Sequence, residues 1–395
     1  MGEGNLLVPA QCLARAEAET RLTDWSDPDW GDERFAERFA LAAAHINSIP
    51  MDAAGREAAA ANVHWLLTDR LKFMADRKQY PLADEVIDRP MFATGEPRSG
   101  TTLMHALMSV DPHARALRFW EVMHPSPPPG VVQGADPRQA QADAEWREIN
   151  TKMAKWLHCH PYNDMLGSGL PEDERTWAFD FRVMTPTAWW RVPMQNLSMG
   201  LPMDSTAQYR LHKAMLQAFQ YNRPSKYWVL KGFHGFRLKE FFEAYPDASL
   251  VWLHRDPVMV AASSTMMMAD IMEGIVGPID LVAEAKMHLE RTRASIANTM
   301  ANPLVHDPRV HHVRYRDFVA DPVGTLRGYY AFAGRDFTPE TEAAMRDYLA
   351  SNKADRHGKF PYSTSVLTDA GYDIDALNEE FRPFRERFGV EIEQR

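Results

Sequence analysis

FATGEPRSGTTLMHALMSV, residues Phe92–Val110, passes from strand to loop to helix. Met91-Phe92-Ala93 is a short apolar run that predicts the end of a buried strand. The chain then turns through Gly95-Glu96-Pro97-Arg98-Ser99-Gly100-Thr101-Thr102, and Leu103, Met104, Leu107 and Met108 recur at helical spacing. Strand, glycine-bounded loop and helix together make a phosphate cradle. Backbone N–H groups point inward, and the helix N-terminus adds roughly half a positive charge. Gly95 and Gly100 let the backbone approach an anion closely. The spacing Gly-x4-Gly is that of a Walker A loop, but Thr101 stands where such a loop has Lys. The cation comes earlier, at Arg98, and two hydroxyls follow the second glycine. This set suits an anionic diester or anhydride held without a metal ion.

A chain of 395 residues is long enough to bury a sizeable core in one large domain or two. Its 45% hydrophobic and 25% charged residues are ordinary for a globular protein. The net charge of −10 argues against a nucleic-acid partner, so any anion site must be a local basic pocket. Two cysteines, Cys12 and Cys159, form no disulfide framework and fit a reducing cytoplasm. The first twenty residues lack a basic stretch followed by an apolar core, and Leu6 stands where myristoylation wants Ser or Thr. No apolar run is long enough to span a membrane.

Met1–Ala83 reads as helical. Phe35–Ile49 and Gly55–Asp76 carry apolar residues three and four apart, with Pro50 between them. We therefore expect an N-terminal helical extension, residues 1–85, that caps the main domain, residues 86–395, or joins two copies as a homodimer. Pro125–Gly130 reads as an extended polyproline segment and Asp136–Trp156 as a helix. His158-Cys159-His160 has metal-ligand character, yet no second pair with zinc spacing accompanies it. Gly167–Arg175 is a loop whose acids Glu172, Asp173 and Glu174 open a helix. The aromatic stretch from Phe179 to Trp190, followed by Met194, Met199 and Met203, reads as an adaptable apolar pocket or as core. Tyr227–Lys231, Ser249–His254 and Val310–Tyr315 are further buried strands, with helices at Phe236–Tyr245 and Val258–Met272. The alternation predicts an α/β fold with a P-loop-like, doubly wound parallel sheet flanked by helices. Arg98, Lys231, His234, Arg255 and Tyr315 all fall at the carboxyl ends of strands, where such sheets bind ligands.

The two loops GEPRSGTT and RDPVMVAASS resemble the cofactor loops of sulfotransferases that use 3′-phosphoadenosine 5′-phosphosulfate (PAPS). The first is similar to the Pro-Arg-Ser-Gly-Thr-Thr loop of the tyrosylprotein and bacterial branches. The resemblance implies that Arg98, Ser99, Gly100, Thr101 and Thr102 bind the 5′-phosphosulfate. It implies that Arg255 and Ser263, eight residues apart, hold the 3′-phosphate, and that Tyr315 contacts the adenine. Arg356 and Lys359, in Arg356-His357-Gly358-Lys359, are similar to a basic loop that closes over the same phosphate. The layout looks most like that of bacterial members.

In-line sulfuryl transfer needs cations on the bridging and sulfonate oxygens and a base on the acceptor hydroxyl. Arg98 and Lys231 are the cations. His234 resembles the base of cytosolic members with one residue inserted. Glu121, in Phe119-Trp120-Glu121, sits near the base of tyrosylprotein members and is preferred, with Glu172 and Glu174 in reserve. The expected activity is sulfuryl transfer from PAPS, leaving adenosine 3′,5′-bisphosphate (PAP), to a hydroxyl of a small apolar or aromatic acceptor, with no metal. A P-loop kinase or nucleotidase, and a non-catalytic nucleotide-binding protein, are the alternatives.

Overall fold

Five parallel strands form one sheet in the computed structural model, which describes residues 6–27, 34–153, 155–159, 161–181, 204–223, 226–353, 356–358 and 360–393. The strands are β1 (Met91–Gly95), β2 (Ala114–Arg115), β3 (Tyr227–Lys231), β4 (Ser249–His254) and β5 (Val310–Arg314), in the order β2-β3-β1-β4-β5. Phe92 lies opposite Leu230 on one side and Leu250 on the other, which fixes the register. β3 and β4 are buried along their whole lengths, as expected of near-continuous apolar runs covered on both faces by helices. Because every pairing is parallel, the carboxyl ends of all the strands emerge at one edge.

The chain divides into two compact units. One comprises residues 88–117, 153–164 and 225–395 and contains the sheet. Its centre is Phe92, whose ring meets His234 edge-on at 5.0 Å and Phe241 at 4.8 Å. Asp111, just past the helix Thr101–Ser109, is buried at the hub of a polar cluster. It accepts hydrogen bonds from the hydroxyls of Tyr227, of Tyr330 at 2.9 Å and of Thr341 at 3.2 Å. Burial first, and Asp111 second, push the Tyr227 phenol pKa up.

The other unit comprises residues 1–87, 118–152 and 165–224, and its described residues are mainly helical. The helices Phe35–Ser48 and Ala53–Gln79 match the expected apolar spacing, and their faces bury Phe35, Phe39, Ile46, Leu67 and Leu71 with Phe181. The side chain of Asp52 begins the longer helix by accepting from Gly55 N at 2.7 Å. Arg70 is completely buried on that helix because Asp180 supplies a carboxylate, which also takes Arg38 Nη2 at 2.7 Å.

Three stretches differ from the sequence reading. The Pro125–Gly130 stretch contains a cis Ser126–Pro127 bond and leads into a 3-10 turn at Pro129–Val131. Arg138 Nη1 donates to His124 O at 2.8 Å and also to Pro127 O, which folds this stretch inward. The helix foreseen from Asp136 ends at Lys152. The helix foreseen from Phe236 is a 3-10 turn, His234–Arg237, followed by a short helix, Leu238–Ala244. Trp189, Trp190, Met194, Met199 and Met203 lie outside the described residues.

Candidate active site

The loop after β1 is shaped by three left-handed backbone positions: Gly95 at φ +154°, Arg98 at +68° and Gly100 at +95°. A Cβ at Gly95 would stand 2.5 Å from Leu253 O, so only glycine fits against β4. Ser99 is buried and donates from Oγ to Glu96 O at 2.6 Å, closing the turn from inside. Gly100 caps the helix Thr101–Ser109 without any side-chain cap, so the first N–H groups of that helix, at Thr101 and Thr102, face the loop. A Cβ at Gly100 would come within 3.1 Å of the Tyr315 ring.

The Arg98 side chain is anchored at several points. Its Nε donates to Ser263 Oγ at 3.1 Å and its Nη1 to Cys159 O at 3.0 Å. Its guanidinium lies 5.3 Å from the centre of the Phe360 ring. Burial lowers its pKa from the ordinary value. Ser263 is fully buried on the helix Pro257–Val276, two turns beyond Arg255. Asp256 caps that helix by accepting from Val258 N at 3.3 Å.

Arg255 follows β4 directly and has only 3% of its side chain exposed. It donates from Nη1 to Arg98 O at 2.7 Å and from Nη2 to Tyr362 Oη at 2.8 Å. Nε and Nη2 each reach one carboxylate oxygen of Glu393, both at 2.7 Å. The Tyr315 ring, at the first residue after β5, stacks 4.2 Å below the guanidinium. Arg98, Ser99, Gly100, Ser263, Arg255 and Tyr315 are therefore in one place, although they come from distant parts of the chain.

The remaining expected residues are more dispersed. Lys231 ends β3 and is buried. His234 is fully buried, its backbone N–H donates to Thr94 Oγ1 at 3.2 Å, and its ring rests on Phe92 and Phe241. Arg356 is forked onto Asp164 at 2.8 and 3.0 Å, beside His357 at 2.8 Å from the same carboxylate. Lys359 and His160 lie outside the described residues. Among those described, no group of three His, Cys, Asp or Glu side chains could hold a metal. In the helical unit, Glu121 is buried in the short helix Phe119–Met123 and caps it, accepting from Arg118 N at 3.0 Å. Glu172 and Glu174 flank the start of the 3-10 helix Asp173–Asp180 beside Arg175.

Four residues at the loop went unforeseen. Phe360, Tyr362 and Glu393 reach the arginines from the far end of the chain, and nothing in their local pattern marks them. Glu96 lies in the quoted loop yet is 3% exposed, and its Oε2 has no hydrogen-bond partner among the described residues. Burial raises its pKa to about 7, against hydrogen bonds from its own backbone and Ser295.

A parallel sheet with two arginine-bearing loops at its carboxyl edge defines a P-loop-like α/β protein. Residues 90–339 match the model of the sulfotransferase family, and the chain belongs to that family. The omega-hydroxy-beta-dihydromenaquinone-9 sulfotransferase Stf3 of Mycobacterium bovis is 27% identical over 286 residues, 69% of each chain. The sulfotransferase STF9 of Mycobacterium avium superposes with a TM-score of 0.80 at 26% identity, covering 100% of both chains. The sulfotransferase STF1 of Mycobacterium tuberculosis, at 24% identity and a TM-score of 0.69 over 96% of this chain and 99% of its own, shares the fold. Among the described residues no helix is long and apolar enough to cross a membrane.

Proposed function

We propose that this sulfotransferase takes its sulfuryl group from PAPS and delivers it to a hydroxyl on a small apolar or aromatic acceptor. The observation that carries the donor is the cluster at the sheet's carboxyl edge, where Arg98, Ser263 and Arg255 are joined around the loop Gly95–Gly100. The cradle suits a nucleotide. Gly95 and Gly100 leave no room for a side chain against Leu253 O and the Tyr315 ring, so the loop stays close to β4 and β5, and the helix that follows begins with N–H groups that would face a 5′-phosphosulfate. PAPS supplies the activated sulfuryl group when bound. In this reading Arg98, Ser99, Gly100, Thr101 and Thr102 hold its 5′ end. Arg255 and Ser263 would hold the 3′-phosphate, Tyr315 would contact the adenine, and Arg356 and Lys359 would add positive charge to the 3′-phosphate. Lys231 balances charge developing on the bridging oxygen.

Glu121 takes the proton of the acceptor hydroxyl in this proposal. The burial of the His234 imidazole between Phe92 and Phe241 supports a positioning role for that residue. The apolar character of the acceptor is supported by the relative Stf3, which is named for an omega-hydroxy-beta-dihydromenaquinone-9. The division into a helical extension, 1–85, and a catalytic part, 86–395, belongs to the same proposal and is supported by the start of the family match at residue 90.

The test is a thermal scan followed by a transfer assay. A ligand at a hundred times its Kd adds roughly 2.7 kcal/mol to the fold. PAP should give such a shift and ATP with magnesium should not. Labelled PAPS should then mark an apolar alcohol in a panel of phenols, sterols, glycolipids and isoprenoid or polyketide alcohols. Equal shifts with PAP and ATP–magnesium would favour a kinase or nucleotidase. A PAP shift with no transfer to any acceptor would favour a binding protein.

A further inference from the structure

Arg255, the residue read above as the 3′-phosphate ligand, already holds an anion, and that anion belongs to the chain itself. Glu393 Oε1 and Oε2 receive Nε and Nη2 of Arg255, both at 2.7 Å. This is the two-pronged geometry with which a guanidinium grips carboxylate or phosphate. With Arg98 O on Nη1 and Tyr362 Oη on Nη2, four of the five N–H groups a guanidinium offers are engaged. A phosphate cannot be gripped by the same fork while Glu393 is there.

The segment that brings Glu393 is lightly held. Gly389, at φ +65°, ends the helix Arg382–Phe388, and Val390 N donates to Arg385 O at 3.0 Å. Beyond that, Glu391 pairs with the exposed Arg316, and Glu393 N donates to Asp256 Oδ2 at 3.0 Å. Ile392, an apolar residue of the segment, is 52% exposed and adds little burial. The Arg255 side chain is 3% exposed and that of Glu393 is 24%, so the carboxylate is the more open partner of the pair.

We propose that Glu393 is an intramolecular competitor for the 3′-phosphate: it occupies the Arg255 fork between turnovers and must give way when nucleotide binds. The inference rests on the reading of Arg255 given above. It has a directional consequence. A nucleotide with a 3′-phosphate has to break the Arg255–Glu393 pair, whereas one without it leaves the pair in place. Glu393 therefore weakens PAPS and PAP selectively and returns to Arg255 as PAP departs, which speeds product release.

The experiment compares wild type with Glu393→Gln by titration calorimetry, using PAP and adenosine 5′-phosphosulfate, which lacks the 3′-phosphate. Glu393→Gln should bind PAP about tenfold tighter, the worth of one good charged pair, and release it correspondingly more slowly in stopped flow. Affinity for adenosine 5′-phosphosulfate should not change. Glu393→Ala repeats the measurement with the side chain gone and should give the same sign. Unchanged or weaker PAP binding in both variants overturns the inference and makes Glu393 a residue that orients Arg255. Failure of wild type itself to bind PAP overturns the reading of the site as a whole, and the inference with it.

Discussion

Arg255 Nη1 donates to the backbone carbonyl of Arg98 at 2.7 Å, so the loop after β4 braces the loop after β1. Arg98 needs bracing. At φ +68° it occupies a backbone region that side chains with a Cβ seldom adopt, and such positions persist only where neighbours over-determine them. Arg255→Ala should thus have two effects. PAP affinity should fall by about 1.5–3 kcal/mol, the size of a charged hydrogen bond. The ligand-free melting temperature should also fall, because Arg98 O loses its donor. Arg255→Lys should restore only part of either, since an ammonium cannot reproduce the planar fork. Full PAP affinity in the Lys variant, measured by calorimetry, would contradict the assigned role.

Glu96 gives the fold a pH dependence. Its carboxyl is buried, Oε2 has no hydrogen-bond partner among the described residues, and its pKa is raised to about 7 in the folded chain. The folded state therefore holds this proton more firmly than the unfolded chain. Stability should be greatest below the ordinary glutamate range, decline as pH rises through it, and carry the full penalty above about 7. The total is about 3 kcal/mol. Glu96→Gln, which keeps the shape and removes the titration, should be more stable than wild type at pH 8 and about equal to it near pH 4. Urea unfolding at both values reads this out, and parallel profiles for the two proteins would refute it.

The hub at Asp111 is a pure stability site. Asp111→Ala strands the hydroxyls of Tyr227, Tyr330 and Thr341, all within the sheet-bearing unit. Each buried donor left unsatisfied costs about 1–3 kcal/mol, so a loss of roughly 3 kcal/mol or more is expected. A drop in urea midpoint with unchanged PAP affinity per folded molecule would locate the defect in the core. A change below 1 kcal/mol would mean that the hydroxyls find other acceptors.

How much of this was legible in the sequence follows from the range of the interactions. β1, β3 and β4 are continuous apolar runs with glycine or basic residues at their ends, and the loop after β1 carries its turn chemistry in its own glycines. Those features are local, and the architecture followed from them. β2, only Ala114–Arg115, is too short to show any period and was missed. Tyr362 and Glu393 meet Arg255 across 107 and 138 residues, and no local pattern encodes such a contact. The burial of Glu96, 3% exposed, is likewise set by packing and has no mark in its neighbours in sequence. Glu121 reads only as a candidate base, while its second task, capping its own helix at Arg118 N, shows in the backbone alone.

That second task makes Glu121 a demanding residue to test, and Glu121→Gln is the informative change. The amide oxygen still accepts from Arg118 N, so the helix Phe119–Met123 keeps its cap. What disappears is the capacity to take a proton. If Glu121 is the base, turnover should fall by roughly 10²–10⁴, the usual worth of general-base catalysis. PAP affinity should be nearly unchanged, because a base acts on the acceptor and not on the nucleotide. The pH–rate profile should lose its acidic limb. Glu121→Ala should lower stability by about 1 kcal/mol as well, through the lost cap, which separates the two tasks. His234→Ala leaves a cavity against Phe92 and Phe241 and should lower both stability and rate, while the surviving activity keeps its acidic limb. Near-normal turnover in Glu121→Gln, with the limb lost instead in His234→Ala, would assign the base to His234 and leave Glu121 as a helix cap.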